Sequence, residues 1–154
     1  MSATHYALVL LAAIGVLLYA APTHAQEGEA LDPYAAGAFE KVVLDSTTTD
    51  PIELDVAPDG RVFFIERRGV IKIWHPDTET TTLAGYLPVT TVHEDGLMGL
   101  ALDPDFEDNG WIYLYYAPPE GPPRNQLSRF TVAGDEVQLA SERPLLTVPT
   151  QRAE

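Results

Sequence analysis

Two segments that begin 46 residues apart share one pattern, and this repeat constrains the fold more than any other feature of the sequence. Residues 54–59 read LDVAPD, and residues 100–105 read LALDPD. Each segment ends in a Pro-Asp turn and leads into a run of aromatic and branched apolar residues. A period of this length accommodates one small four-stranded sheet with its turns. The sequence therefore predicts two copies of one structural unit.

Short apolar runs separated by turn residues predict an all-β fold. Residues 62–65 are apolar without interruption, which is typical of a strand buried on both faces. The PDG sequence at 58–60 predicts a tight turn, and Arg67 and Arg68 are expected to form a solvated hairpin tip. No amphipathic helix is predicted after residue 25. The predicted strands are residues 39–44, 52–56, 62–65, 70–74, 80–87, 97–102, 111–116, 127–132 and 137–148.

Four strands per repeat at this period are typical of a β-propeller blade. We therefore expect a partial β-propeller over residues 51–154, with blade-like units at about 51–90 and 94–150 and a lead-in segment at 26–50. An ordinary β-meander or sandwich with a chance internal similarity is the alternative. Because each blade needs neighbours and a ring takes about four blades or more, we expect a truncated piece of a longer protein.

The charge and the cysteine content exclude several classes of function. Nine Lys and Arg residues against 23 Asp and Glu residues give the 154-residue chain a net charge of −14. Such a charge repels phosphate backbones, so nucleic acid is not expected as a partner. The sequence contains no cysteine, which excludes disulfides, thiolate metal sites and cysteine nucleophiles.

The first 25 residues predict a secretory signal peptide. Residues 7–21 are uncharged and mostly apolar, and Pro22 and the small residues up to Ala25 follow them. A bilayer span needs about 20 apolar residues, so no stable membrane span is expected. We expect export to the periplasm or the extracellular space after cleavage near Ala25. An uncleaved anchor is the alternative, because no Lys or Arg precedes the apolar stretch.

Four stretches of the sequence are more specific than the strand pattern. They read LDVAPDGRVFFIERRGVIKIW (54–74), HEDGLMGLALDPDFEDNGWIYLYYAPP (93–119), NQLSRFTV (125–132) and ERPLLTVPTQRAE (142–154). Together they resemble the glucose/sorbosone dehydrogenase family, and EDGLMGLALDPDF is the most specific element among them. The resemblance covers about residues 50–154 and implies part of an exported, six-bladed β-propeller.

The resemblance also implies a reaction. Members of the family oxidise an aldose at its anomeric carbon, with pyrroloquinoline quinone (PQQ) as electron sink, calcium bound to the quinone, and an external electron acceptor. The histidine that takes the proton from the sugar belongs to a motif that should follow residues 148–154. No catalytic residue is therefore expected in this chain, most cofactor-binding residues should lie outside it, and the fragment alone should be inactive. The alternative is a non-catalytic secreted propeller that binds glycans or partner proteins.

Two acidic residues are the candidate substrate-binding residues. Glu94 and Asp95 follow His93 in the loop before the predicted strand at 97–102. Loops at one end of the inner strands of a propeller line its axial cleft, and by the resemblance Glu94 aligns with a Gln or Glu that faces the substrate. An ionised carboxylate there accepts hydrogen bonds from sugar hydroxyls but donates none. A solvated acidic turn is the alternative interpretation.

The acidic segment 103–109 (DPDFEDN) looks similar to a calcium-binding loop but lacks the required spacing. An EF-hand loop needs glycine at its sixth position and glutamate at its twelfth. Counted from Asp103, Gly110 falls at position 8 and Leu114 at position 12. We therefore predict a polar turn between strands and no metal site in this segment.

Overall fold

The first four strands form one antiparallel sheet in the order of the sequence. The computed structural model describes Gly37 and residues 40–151, so the predicted signal peptide and most of the lead-in segment lie outside the described residues. The strands of the described residues belong to the unit Lys41–Glu154. The strands of the first sheet are β1 (Pro51–Val56), β2 (Val62–Glu66), β3 (Val70–His75) and β4 (Thr80–Tyr86).

The second sheet repeats this arrangement, again with its strands in sequence order. One short helix, α1 (Phe106–Asn109), lies between its first two strands. Across residues 40–151, no helix has the length and apolar composition that crossing a membrane would require. The all-β prediction is confirmed, and each sheet is one blade of a partial β-propeller. The strands of the second blade are β5 (Leu97–Leu102), β6 (Trp111–Tyr116), β7 (Arg124–Ala133) and β8 (Glu136–Pro149).

The sequence repeat reappears in the pairing of the inner strands, β1 and β5, which lie against each other. In β1 the register shifts between Pro51 and Glu53, and in β5 it shifts between Leu97 and Gly99. The two shifts occur at equivalent positions of the 46-residue repeat. Because a bulge bends a strand and turns its side chains, both inner strands begin with the same local change of direction.

The hydrophobic core lies between the two blades. Phe63 and Ile65 of β2 are fully buried, and they pair with Ile73 and Ile71 of β3 on the same face of the sheet. Burial alternates along β3 and along β6, as expected for strands with one face toward a core. The second blade contributes buried apolar side chains that include Leu100, Ile112, Leu114, Phe130 and Val137.

The predicted strand at 39–44 is wrong for the residues that the structure describes. Residues 40–44 form no strand, and Val42 and Val43 are 69% and 63% exposed. Residues 41–45 lie along an apolar groove on the first blade, and Lys72 Nζ lies 3.8 Å from the Asp45 carboxylate. Residues 39–44 (FEKVVL) include the strand formers Phe and Val, but β propensity depends on packing against neighbouring strands.

Candidate functional site

One end of the two blades holds the residues that the sequence predicts for substrate binding. At this end, which we call the entry end, the inner strands begin and the second strands of each blade finish, as the pairing of Leu97 with Tyr116 shows. The connection from β4 to β5 includes residues 92–96 (VHEDG), which we call the entry loop. Arg67, the residue after β2, lies beside this loop, because its carbonyl oxygen accepts a hydrogen bond from Leu97 N at 2.8 Å.

The structure presents Glu94 on the surface of the entry loop and places Asp95 inside it. Glu94 and His93 are exposed, so the Glu94 carboxylate is open to a ligand in solution. Asp95 is only 9% exposed, and its backbone N–H donates to the carbonyl of Val92 at 3.0 Å, which closes a tight turn. His93 has a φ of 55°, in the left-handed region that non-glycine residues rarely adopt. The predicted residues therefore lie together, with different exposure.

Arg67 holds the entry loop, a contact that sequence reasoning missed. Its Nη1 donates hydrogen bonds to the carbonyl oxygen of His93 at 3.2 Å and to that of Asp95 at 2.9 Å. The prediction of a solvated hairpin tip is therefore wrong for Arg67, whose guanidinium is engaged with backbone carbonyls. It is confirmed for Arg68, whose side chain is 64% exposed. The sequence offers only one signal for Arg67, its place directly after the buried run of β2.

A polar network joins three strands of the second blade, with buried side chains on β6 and β7 and the exposed Glu142 on β8. Glu142 Oε1 accepts hydrogen bonds from Tyr116 Oη at 2.5 Å, from Ser128 Oγ at 2.7 Å and from Gln126 Nε2 at 2.8 Å. Burial and, second, the hydrogen bond to Glu142 raise the pKa of Tyr116 to about 12, so this phenol is a proton donor at neutral pH. Gln126 and Ser128 share the buried face of β7 with Phe130, and polar residues at such positions are the sequence signal for a network.

The acidic segment lies at the opposite end of the second blade, between β5 and β6. The Asp103 carboxylate accepts hydrogen bonds from Tyr113 Oη at 2.5 Å, from Asn109 Nδ2 at 2.9 Å and from the backbone N–H of Asp105 at 3.0 Å. These bonds, that from Tyr113 first, lower the pKa of the Asp103 carboxyl. The predicted polar turn is confirmed, with α1 inside it, and its central carboxylate is engaged by donors of the turn and of β6.

Comparison with protein families identifies one match. The glucose/sorbosone dehydrogenase family model matches residues 48–154, more than half of the chain. No curated protein matches the chain.

Solved structures of sugar dehydrogenases share this fold over part of their length. An oxidoreductase described as a glucose dehydrogenase from Thermus thermophilus is 29% identical, with a TM-score of 0.65 over 71% of this chain and 32% of that chain. The aldose sugar dehydrogenase from Streptomyces coelicolor, in its PQQ-bound form, is 23% identical, with a TM-score of 0.55 over 66% of this chain and 31% of that chain. The soluble aldose sugar dehydrogenase from Escherichia coli, in its apo form, is 21% identical, with a TM-score of 0.54 over 64% of this chain and 29% of that chain.

The chain thus spans about a third of the length of these solved relatives. Their fold agrees with the two blades described above, and the family model covers both blades. The chain belongs to the glucose/sorbosone dehydrogenase family.

Proposed function

We propose that this chain is part of an aldose dehydrogenase that uses PQQ and oxidises its sugar at the anomeric carbon, and that the entry loop forms one wall of the sugar cleft. One observation carries the proposal: Glu94 is exposed at the entry end. It gains its meaning from the match of residues 48–154 to the family. The PQQ-bound form of the Streptomyces coelicolor relative supports the choice of cofactor.

The described residues alone do not fit either PQQ or calcium. Within residues 40–151, no group of three or more His, Asp or Glu side chains converges on a position for a metal ion. Arg67, the cation nearest the entry loop, directs its Nη1 to backbone carbonyls. We therefore derive no chemical step through these groups, and we propose that the base and most cofactor contacts belong to other parts of the full-length protein. On this proposal the 154-residue chain alone does not turn over sugar.

The proposed role of Glu94 is to accept hydrogen bonds from sugar hydroxyls. Its exposed carboxylate offers acceptors only, whereas an amide in the same place also donates. We predict that Glu94→Gln in the full-length protein changes KM or kcat roughly tenfold for some aldoses, the size of one hydrogen bond to a charged group, and leaves PQQ affinity unchanged. The matched control is Glu107→Gln, an exposed glutamate in the acidic turn at the opposite end.

Kinetics that are identical for wild type and Glu94→Gln across several aldoses would remove Glu94 from the cleft. Asp95 stays a predicted substrate-binding residue, and Asp95→Asn belongs in the same series. Because Asp95 is buried, its variant should also be checked for thermal stability.

The reaction itself is tested by dye reduction. The full-length protein is incubated with PQQ, calcium, an artificial electron acceptor and a panel of aldoses, and control reactions omit PQQ. Reduction that requires both PQQ and sugar supports the proposal. Binding of glycans without any dye reduction would favour a non-catalytic propeller instead.

We also propose that the protein is exported and that cleavage after Ala25 leaves Gln26 as the first residue of the mature chain. The uncharged stretch at 7–21 and the small residues before Gln26 support this. Mass spectrometry of the N-terminal peptide from the periplasmic or extracellular fraction checks it. A peptide that begins at Met1 would contradict it.

A further inference from the structure

The repeat supplies an internal comparison for Arg67. In the first blade the backbone N–H of Arg67 donates to the carbonyl of Asp50 at 3.0 Å, and in the second blade Ala117 N–H donates to the carbonyl of Gly96 at 2.9 Å. Both donors directly follow the second strand of their blade, and both acceptors directly precede the inner strand. The two bonds are therefore equivalent, and the second blade forms its bond with alanine. The scaffold does not require an arginine side chain at this position.

The arginine side chain makes contacts that alanine cannot make. Its Nη1 bridges the carbonyl oxygens of His93 and Asp95, the residues on either side of Glu94. Gly96 permits this close approach, because a Cβ at that position would lie 2.6 Å from Arg67 Cγ and 2.5 Å from the Arg67 carbonyl oxygen. Arg67 thus lies along the entry loop and is hydrogen-bonded to the backbone on both sides of Glu94, whose carboxylate is exposed.

We propose that Arg67 is a positioning residue that fixes the direction of Glu94 at the entry end. A guanidinium presents several N–H groups in a rigid plane, which suits it to bridging two neighbouring acceptors. One end of the bridge is the carbonyl oxygen of His93, whose left-handed backbone is unfavourable for a residue with a side chain. Without the bridge, the loop has less to hold it in this conformation. The consequence for sugar binding rests on the proposed function, whereas the bridge itself does not.

The first experiment measures hydrogen exchange in the full-length protein without substrate. Arg67→Ala should speed amide exchange in the peptide covering residues 88–100 about tenfold, the effect of losing one charge-assisted hydrogen bond. Alanine already occupies the equivalent position, Ala117, so the variant is expected to fold. The matched control is Arg68→Ala, because Arg68 is exposed and lies 3.9 Å from the Asp50 carboxylate, a distance typical of a weak surface pair. Equal exchange in both variants would overturn the proposal.

The second experiment asks whether Arg67 acts through Glu94. Arg67→Ala should raise KM for the preferred aldose about tenfold while kcat changes less than about twofold. If the arginine acts only by positioning Glu94, then Arg67→Ala adds nothing to KM in a protein that already carries Glu94→Ala. Effects on KM that multiply in the double variant would overturn the positioning role. If the wild type oxidises no aldose, the proposed function fails, and the exchange experiment alone decides whether the bridge holds the loop.

Discussion

Replacing Tyr116 with phenylalanine tests the polar network of the second blade. The phenol is 4% exposed and donates to Glu142 Oε1 at 2.5 Å, and it also accepts from Gln126 Nε2 at 3.0 Å. Phenylalanine keeps the ring and removes only the hydroxyl. Glu142 retains its hydrogen bonds from Gln126 and Ser128, so the network loses one donor and one acceptor without a new cavity.

The expected decrease in the free energy of unfolding follows from the kind of hydrogen bond that is lost. A hydrogen bond to a charged group contributes about 1.5–3 kcal/mol to stability. Because Glu142 is exposed and keeps two donors, we expect the lower part of this range, about 2 kcal/mol. The rise of the Tyr116 pKa from 10.0 to about 12, caused first by burial, corresponds to about 3 kcal/mol at most between the protonated and ionised phenol. It therefore determines the pH dependence of the effect and not the strength of the hydrogen bond.

The pKa of Tyr116 also determines how the loss of stability in Tyr116→Phe depends on pH. The folded-state pKa lies above the unfolded value, so the contribution of Tyr116 is complete below about pH 10 and is lost as the pH rises toward 12. The difference in unfolding free energy between wild type and Tyr116→Phe should therefore fall from about 2 kcal/mol at pH 8 to below about 1 kcal/mol at pH 11.

Urea unfolding followed by tryptophan fluorescence at the two pH values measures this difference. Tyr113→Phe is the matched control, because Tyr113 also donates to a carboxylate at 2.5 Å but is only half-buried. It should cost less than half as much at pH 8. Equal losses of stability from the two substitutions would contradict the expected role of Tyr116. An effect of Tyr116→Phe that is as large at pH 11 as at pH 8 would contradict it as well.

Two further predictions concern residues of the first blade, a glycine with positive φ and a carboxylate that bonds to the second blade. Gly69→Ala should destabilise the protein by about 2 kcal/mol or more, because φ is 97° and the new Cβ would lie 2.0 Å from a backbone oxygen. The control is Gly134→Ala, which has a φ of 63° and open space around it and should destabilise the protein by about 1 kcal/mol. Thermal unfolding compares the two variants. Asp55 Oδ2 accepts a hydrogen bond from Leu102 N at 2.8 Å between the inner strands, so Asp55→Ala should cost about 1–2 kcal/mol. Asp55→Asn, which keeps an acceptor oxygen, should cost less in the same assay, and equal losses would contradict the role of this bond.

The strands could be predicted from the sequence because their burial follows local periodicity. Residues 62–65 are apolar in succession and are buried on both faces, and β3 alternates as expected. The segment 39–44 shows why the same reasoning can fail. Its Phe and Val residues favour a strand, yet residues 40–44 form none, because strand formation depends on a partner that local sequence does not reveal.

The candidate site could be predicted only in part, for a related reason. Glu94 and Asp95 are adjacent in sequence, so the loop that carries them was identifiable, but their different exposure depends on the turn that follows Val92. The bridge from Arg67 joins residues that are 26 and 28 positions apart. No local pattern encodes a contact between a hairpin of one blade and the loop that enters the next.

The two repeats differ at both ends of the blades, and we interpret the difference at one end as structural and the difference at the other as functional. At the end away from the entry loop, the turn of the second blade gains α1, and the Asp103 carboxylate is engaged by three donors within that turn and β6. The hydrogen bonds within the turn therefore explain why its residues are polar. At the entry end, the second blade has Glu94 where the first has Thr48, and its carboxylate is exposed while the backbone on both sides is bonded to Arg67. An exposed charge on a loop that is held so closely is the contrast on which we base the proposal that the sugar binds at the entry end.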